Sequence, residues 1–278
     1  MSDRVRLGIS TCPNDTFAFC GWIEGAIDPR GIELEVEYLD VAELNRRFQA
    51  GDFDLAKISF HAALTCASEL RVLPSGSALG YGVGPLLLAS PDWDERAGRA
   101  PRVLCPGPTT TAALLWKLFH GERVEPEHVV FSEIMPRLRA GRADLGVCIH
   151  EGRFTWRDSG LRYVEDLGER WEAETETPLP LGGIAARRAL DPELVRRAQA
   201  CLADSIDWGH AHRERALPFL RRHAVELDED VLWSHVELYV NAATRDLGAE
   251  GRRALERLSE LAARAGLVDA GAHLEVFE

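Results

Sequence analysis

The chain has 278 residues, of which 46% are hydrophobic, and its 45 acidic and 32 basic side chains give a formal net charge of −13. This length exceeds the size at which a chain usually folds around a single compact core, so two lobes are expected. The negative charge would repel a phosphate backbone or an anionic bilayer, and we therefore expect neither nucleic acid nor a membrane as a partner.

The cysteines and the amino terminus indicate a cytoplasmic protein. The six cysteines include no C-x-x-C pair and no zinc-ligand spacing, which is typical of reduced thiols. The first ten residues lead directly into a predicted strand without the apolar segment of a signal peptide. No apolar run approaches the ~20 residues that a membrane-spanning helix needs.

The first third of the chain alternates strands and helices, which predicts a mainly parallel sheet. Asp15 or Thr16 can cap the first helix, and Asp40 with Glu43 forms a D-x-x-E capping box for the second, which ends at Gly51. The predicted strands cover residues 5–9, 32–39, 55–60 and 86–89, and the predicted helices cover 15–25, 40–51 and 61–69.

Residues 75–85 are rich in glycine, with Gly76, Gly80, Gly82 and Gly84. This segment is not expected to be a phosphate loop, because no Lys-Ser/Thr follows it and the next residues predict a strand instead of a helix. Glycine here indicates a close backbone approach near a hinge or a pocket wall.

The alternation resumes after a charged connector at residues 91–100 and gives way to helices near the carboxyl terminus. The segment P-L-P-L-G-G, whose proline and glycine residues interrupt regular structure, precedes the last predicted strand. The predicted strands cover 102–105, 129–132, 145–149 and 184–186, and the predicted helices cover 112–120, 134–140, 166–176, 191–215, 218–224, 228–240 and 250–265.

Two segments 90 residues apart resemble each other. Residues 43–56 and 133–146 share Glu, Arg, Ala, Gly, Asp and Leu in register, and each copy is predicted to end a helix at glycine and re-enter a strand. The match predicts either two lobes of similar build or only a generic helix-glycine-strand connection. In the first case, residues 59–60 correspond to 149–150, and the two strand ends face each other across a cleft.

His150 lies at the carboxyl end of a predicted buried strand, where α/β folds place their chemistry. Its imidazole can act as a base or an acid near neutral pH. The alternative is a structural histidine held by hydrogen bonds, which is the commoner role for a single histidine at a strand end.

The sequence lacks the motifs that are typical of several classes of enzyme. H-E-G-R-F at 150–154 is not H-E-x-x-H, and His210 and His212 lie on different faces of a predicted helix. No G-x-S-x-G elbow occurs, and no G-x-G-x-x-G follows the first strand. We therefore expect no metal and no other cofactor.

Polar residues follow several strands and are expected to line one cleft. The segments are 10–16, 57–59, 109–112 and 150–153. A helix amino terminus at 109–112 suits a carboxylate, although the threonines can instead simply cap their own helix. Lys57 interrupts an apolar strand, so it must either pair with Asp54 or Asp15 or face the cleft.

Four motifs in order resemble the 1,4-dihydroxy-6-naphthoate synthases of the futalosine route to menaquinone. They are S-T-C-P-N-D-T-F at 10–17, K-I-S-F-H-A at 57–62, the glycine-rich run at 73–89 and H-E-G-R-F-T-W at 150–156. The resemblance covers residues 4–190. Thr11 stands where the family usually has proline, and Trp156 where tyrosine is common.

The resemblance implies an α/β fold with two lobes, like the type II periplasmic binding proteins, with a cleft between the lobes and extra helices at the carboxyl terminus. Lobe I would comprise residues 1–89 and 182–278, and lobe II residues 90–181. The implied substrate is cyclic dehypoxanthine futalosine, a small carboxylated molecule derived from a nucleoside. The sequence does not reveal the oligomeric state, and a homodimer is the candidate assembly.

The resemblance also implies roles for individual residues. His150 would be the proton acceptor of a carbon-carbon lyase that needs neither metal nor nucleotide. Lys57, Ile58, Ser59, Thr111 and Ala112 would line the substrate site. To these we add Asn14, Thr110 and Arg153 from the polar segments that follow the strands. For Arg153, an ion pair with Glu151 or Asp144 is the alternative to anchoring a carboxylate.

Two other functions fit the same fold. A solute-binding protein would share the cleft but need no base, and it would carry a signal peptide. Chorismate dehydratase, a second enzyme of the same pathway, also resembles this fold. The first and last motifs favour the naphthoate synthase.

Overall fold

The computed structural model describes residues 2–94, 98–121, 124–150, 152–224 and 228–278. These residues form two β-sheets that are flanked by helices. The strands are β1 (Asp3–Ile9), β2 (Ile32–Tyr38), β3 (Leu55–Ser59), β4 (Leu70–Val72), β5 (Ala78–Gly80), β6 (Leu86–Ala89), β7 (Val103–Cys105), β8 (Glu127–His128), β9 (Leu145–Cys148), β10 (Arg162–Asp166) and β11 (Leu179–Arg187).

The helices follow the strands in the first two thirds of the chain and dominate the last third. Short 3₁₀ turns add Ala67–Glu69 and Trp156–Ser159. The α-helices are α1 (Pro13–Ile23), α2 (Val41–Gln49), α3 (Phe60–Thr65), α4 (Thr111–His120), α5 (Phe131–Arg139), α6 (Gly152–Thr155), α7 (Leu167–Thr175), α8 (Pro192–Ala211), α9 (Arg213–His223), α10 (Glu229–Tyr239), α11 (Ala242–Arg245) and α12 (Gly248–Arg264).

The first sheet has the order β2-β1-β3-β11-β4, and β5 also pairs with β11. β1 runs parallel to β2 and β3, whereas β11 runs antiparallel to β3, β4 and β5. The expected parallel arrangement is confirmed for β1, β2 and β3, and the strand β11, which runs against its three neighbours, makes the sheet mixed. The chain returns from the second sheet in the opposite direction and inserts β11 between β3 and β4.

The second sheet has the order β10-β6-β9-β7-β8 and is also mixed. β7 is parallel to β8 and β9, whereas β6 is antiparallel to β9 and β10. Strand β6 at Leu86–Ala89 thus belongs to the second sheet, although the division of the chain at residues 89 and 90 placed it in lobe I. That division of the chain into lobes stays a prediction. The pairing of β6 within the second sheet favours a point just before β6 as the place where the chain passes from one lobe to the other.

Two predicted strands differ from the observed elements. The strand predicted at 129–132 is wrong, because α5 already begins at Phe131 and only Glu127–His128 pairs with β7. Burial of Ile134 and Leu138 beneath β9 favours the helix over the local β-branched run. The strand predicted at 184–186 extends over Leu179–Arg187, with a register shift at Pro180 that lets the sheet tolerate a residue without an N–H.

The helix boundaries show where tertiary structure overrides local signals. α1 begins at Pro13 and not at Asp15 or Thr16, because proline suits the first helical position and the Asp15 carboxylate binds elsewhere. Asp40 caps α2 as expected, but Glu43 pairs with Arg46 and does not close a capping box. The single helix predicted at 191–215 is two helices, α8 and α9.

The carboxyl-terminal helices bury one face of the first sheet. α8 crosses α1, where the Trp22 amide donates to Ser205 Oγ at 3.1 Å. Ile9, Ile184 and Leu202 share one core on that side. A larger core includes Ile58 from the first sheet and Leu87 from the second, so the two sheets are packed together next to the cleft.

Candidate active site

A cleft of about 670 Å³, which includes space open to solvent, lies between the two sheets. Ser59 at the end of β3 lines this cleft together with Ile149 and His150, which follow β9, so the strand ends that correspond in the internal repeat border the same cleft. The amino terminus of α4, the glycine-rich segment before β6 and helix α10 complete the wall. The lining residues are Ser10, Asn14, Asp15, Val41, Lys57, Ile58, Ser59, Ala78, Val83, Gly84, Pro85, Thr110, Thr111, Ala112, Ile149, His150, Leu181, Gly182, His235 and Tyr239.

The cleft brings together all but one of the residues assigned to the site from the sequence. Those that line it are Asn14, Lys57, Ile58, Ser59, Thr110, Thr111, Ala112 and His150.

Arg153 is the exception. It donates to the Gly84 carbonyl at 2.7 Å and forms an ion pair at 2.6 Å with the buried Asp166. The alternative pairing with Asp144 is wrong, because Arg99 and Arg102 occupy that carboxylate. Glu151 lies outside the described residues.

His150 is held in an unusual backbone conformation at the edge of the cleft. Its φ of 56° lies in the left-handed region, which a residue with a side chain rarely adopts and which occurs preferentially at functional sites. The Cys12 thiol lies 3.1 Å from Nδ1, and the Phe131 ring centroid lies 4.7 Å from that of the imidazole. The turn after β9 therefore aims a partly buried imidazole into the cleft.

Lys57 and Asp15 form a buried ion pair at the base of the cleft. The Asp15 carboxylate also accepts hydrogen bonds from Ser10 Oγ at 2.6 Å and from Asn14 Nδ2 at 2.8 Å. Of the two carboxylates considered for Lys57, Asp54 instead pairs with Arg6 at 2.8 Å. Lys57 thus both pairs with a carboxylate and lines the cleft, so the site contains a fixed ammonium next to its own counterion.

The amino terminus of α4 offers backbone donors to the cleft. The Thr110 hydroxyl accepts from the Ala113 amide at 3.2 Å, so this threonine does cap its own helix. The Thr111 hydroxyl donates to the Leu181 carbonyl at 2.6 Å. The first N–H groups of a helix have no partner within it, and the amides of Thr111 and Ala112 therefore suit a carboxylate or an oxyanion.

Ser59 is positioned by a side chain of the neighbouring helix. Asn45 in α2 accepts from the Ser59 amide at 2.9 Å and donates to Ser59 Oγ at 3.1 Å. Because the hydroxyl oxygen accepts this bond, its own proton remains available to a ligand.

Sequence reasoning missed the contribution of α10. His235 lines the cleft, is only 2% exposed, and donates from Nε2 to Asn14 Oδ1 at 3.0 Å. Burial, together with the nearby His150 and Lys57, holds the pKa of His235 well below its usual range. A histidine on the same helix face as the buried Leu232, Val236 and Tyr239 is the signal that could have identified it.

The chemistry of the site combines an imidazole with several hydrogen-bond donors. The donors are the Lys57 ammonium, the Ser59 hydroxyl and the α4 amides, and such groups stabilise negative charge that develops in a transition state. Within the described residues, no group of three or more histidine, cysteine or carboxylate side chains could hold a metal ion. The arrangement suits proton abstraction from a bound carboxylate-bearing molecule.

Comparison with solved structures identifies the fold. A crystal structure of a protein from Archaeoglobus fulgidus superposes with a TM-score of 0.89 at 29% identity and covers 95% of this chain and 98% of its own. The alkanesulfonate-binding protein of Xanthomonas axonopodis superposes with a TM-score of 0.72 at 12% identity, covering 96% of this chain and 95% of its own. The expected α/β fold of the periplasmic-binding-protein type is thus confirmed.

Comparison with characterised sequences identifies the family. A protein of Thermus thermophilus named 1,4-dihydroxy-6-naphthoate synthase is 41% identical over 265 residues, which cover 95% of this chain and 96% of that protein. A Streptomyces coelicolor protein of the same name is 39% identical over 275 residues, covering 97% and 96%. The family described as menaquinone biosynthesis matches residues 5–264. The chain is therefore an enzyme that belongs to the menaquinone biosynthesis family.

Proposed function

We propose that this enzyme is a carbon-carbon lyase that converts cyclic dehypoxanthine futalosine to 1,4-dihydroxy-6-naphthoate. The observation that carries the proposal is the similarity, at about 40% identity over nearly the whole chain, to two proteins that bear the name of this activity. The cleft supports it, because it combines a base with donors for a carboxylate.

In the proposed mechanism, His150 abstracts a proton from the bound substrate. This role is supported by the position of His150 after β9, where it lines the same cleft as the donors Lys57 and Ser59. The substrate carboxylate binds at the amino terminus of α4, and the negative charge that follows deprotonation is stabilised by the donors of the first lobe. Ring opening and carbon-carbon cleavage then separate the aromatic product from the remaining carbon fragment of the sugar.

The activity is tested by incubating the purified protein with cyclic dehypoxanthine futalosine and measuring 1,4-dihydroxy-6-naphthoate by chromatography and mass spectrometry. We expect the naphthoate to accumulate catalytically. Chorismate serves as the matched alternative substrate, and its dehydration would identify the second enzyme of the pathway instead. Binding of the futalosine derivative without any product would favour a solute-binding protein.

Replacing His150 with asparagine tests its role as the base. We expect His150→Asn to lower kcat by about 100-fold or more, because a positioned general base contributes roughly 10²–10⁴-fold to a rate. The dissociation constant of the substrate, measured by calorimetry, should change little. His273→Asn is the matched control, since His273 is exposed, is not among the residues that line the cleft and contacts the Gly271 carbonyl. Turnover by His150→Asn near the wild-type rate would contradict the assignment.

We also propose that the enzyme acts in the cytoplasm. In support, the structure shows no disulfide among the described residues, which include all six cysteines. Separately from this proposal, no helix within the described residues is both long and apolar enough to cross a bilayer. A homodimer stays a prediction, and sedimentation of the purified protein at several concentrations tests it.

A further inference from the structure

A histidine from the carboxyl-terminal helices closes one side of the cleft and is not the proposed base. The His235 ring in α10 lies nearly parallel to that of His150, with 6.4 Å between their centroids. Tyr239 and Phe154 also contact it, with centroid distances of 4.6 and 6.0 Å. Aromatic rings thus flank the imidazole, and its one side-chain hydrogen bond within the described residues joins it to Asn14.

The orientation of the Asn14 amide follows from its other neighbour. Asn14 Nδ2 lies 2.8 Å from Asp15 Oδ1, and Asp15 is itself paired with Lys57. A carboxylate paired with an ammonium only accepts hydrogen bonds, so the NH₂ group of Asn14 must face Asp15. The Asn14 carbonyl oxygen therefore faces His235.

The tautomer of His235 follows in turn. An amide oxygen only accepts, so the bond of 3.0 Å to Asn14 requires that His235 Nε2 carry the proton. Burial, His150 and Lys57 lower the pKa of His235, which keeps the ring neutral at neutral pH. Nδ1 is then unprotonated, and it is the polar atom of this cleft-lining ring that remains for a ligand.

We propose that His235 is a substrate-binding residue whose Nδ1 accepts a hydrogen bond from a hydroxyl group of the substrate. A neutral acceptor cannot bind a carboxylate, which is itself an acceptor, and a hydroxyl is the donor that a substrate derived from a nucleoside carries. The proposal rests on the proposed function for the identity of this substrate. In this proposal, α10 binds a hydroxyl group of the substrate, and the amino terminus of α4 binds the substrate carboxylate.

Two substitutions separate this role from a structural one. His235→Asn places an amide oxygen near the position of Nδ1 and so keeps the acceptor, but the shorter side chain loses the hydrogen bond that Nε2 donates to Asn14. His235→Gln places an NH₂ group near the position of Nε2 and so keeps the donor to Asn14, but it removes the acceptor at Nδ1. Steady-state kinetics with cyclic dehypoxanthine futalosine, together with urea unfolding to confirm folding, compare the two variants with the wild type.

We expect His235→Gln to raise KM about tenfold and His235→Asn to raise it by less than about threefold, as loss or retention of one hydrogen bond predicts. The opposite order, or equal losses in both variants, would overturn the proposal and leave only a structural bond to Asn14. Failure of the wild-type enzyme to bind or convert the compound would instead refute the proposed function and the hydroxyl contact with it.

The tautomer is tested independently of turnover. Nuclear magnetic resonance of protein labelled with ¹⁵N-histidine, with His235→Gln used to assign the signal, distinguishes a protonated ring nitrogen from an unprotonated one. We expect Nε2 to be protonated and Nδ1 to have the shift of an unprotonated nitrogen in the free enzyme, and the Nδ1 signal to move on addition of substrate. A protonated Nδ1 would overturn the proposal even in a fully active enzyme.

Discussion

Lys57 illustrates how a single residue connects the stability of the fold with the site. Lys57 and Asp15 are 6% and 3% exposed, so each charge depends on the other. Breaking such a pair leaves an uncompensated buried charge, whereas replacing both partners with neutral side chains does not. The pair therefore ties α1 to β3 directly beneath the cleft.

Removing only the ammonium should therefore destabilise the protein. We expect Lys57→Met to lower the free energy of unfolding by about 3–5 kcal/mol, because Asp15 would remain buried without its counterion. Urea denaturation followed by circular dichroism measures this change.

The double variant Lys57→Met/Asp15→Asn is the matched control for that experiment. It should recover a large part of the lost stability, since neither charge remains. Arg46→Met, which removes an exposed ion pair with Glu43 on α2, should leave the unfolding midpoint unchanged. If Lys57→Met unfolds at the wild-type urea concentration, the pair does not stabilise the fold in this way.

Gly84 determines how closely the segment before β6 approaches α7 beside the cleft. A Cβ atom at this position would lie 2.3 Å from Gly168 Cα, at the start of α7. The Gly84 carbonyl accepts from Arg153, and the residue itself lines the cleft. The sequence-based expectation of a close backbone approach at a pocket wall is therefore confirmed for this glycine.

Adding one methyl group at this contact should separate the two elements. We expect Gly84→Ala to lower the free energy of unfolding by about 1–3 kcal/mol, because the obstructing atoms belong to backbone and cannot rotate away. Thermal unfolding monitored by calorimetry measures the change. Gly271→Ala is the control, since no atom lies within 4 Å of a Cβ there, and it should unfold like the wild type. Equal unfolding temperatures for both variants would contradict this account.

At the scale of the whole molecule, folding buries several histidines in neutral form. Burial lowers the pKa of His61 to about 4, although a hydrogen bond to the Thr110 carbonyl opposes the shift. Burial also lowers the pKa of His128 and His235. In each case the unfolded chain binds a proton more readily than the folded protein does.

This difference predicts a loss of stability in mild acid. Below an unfolded pKa of about 6.5 the unfolded state gains a proton that the folded state excludes, so the free energy of unfolding falls as the pH drops from about 6.5 to about 4. His61 alone should contribute about 3 kcal/mol to this loss by pH 4. Urea denaturation at intervals of pH between 7 and 4 measures the slope.

His61→Asn provides the comparison for the pH dependence. Asparagine keeps a donor near the position of Nδ1 for the Thr110 carbonyl but cannot titrate. Its stability should therefore fall less steeply than that of the wild type over the same range. Parallel slopes for the two proteins would show that His61 does not titrate as its burial predicts.

Much of the architecture could be predicted because its signals are local. Alternation in β2, an acidic cap at Asp40 and the left-handed Gly51 placed several elements to within a few residues. Local patterns cannot predict where a strand late in the chain inserts into a sheet, and the antiparallel insertion of β11 between β3 and β4 was therefore not predicted. For the same reason α5 begins at Phe131, within a predicted strand and before the predicted helix start at residue 134, since burial beneath β9 outweighs the preference of a short apolar run.

The sequence by itself determined the two-lobed α/β fold, the family and most of the residues that line the cleft. Motifs that directly follow strands in the sequence lie at strand ends in the structure, whatever the order of the strands in the sheet. Only the tertiary structure decided that Lys57 pairs with Asp15, that Arg153 turns to Asp166 and that α10 brings His235 to Asn14. These contacts join residues 42, 13 and 221 positions apart. Hydrogen-bonding partners are chosen by distance and burial in space, which a one-dimensional pattern does not contain.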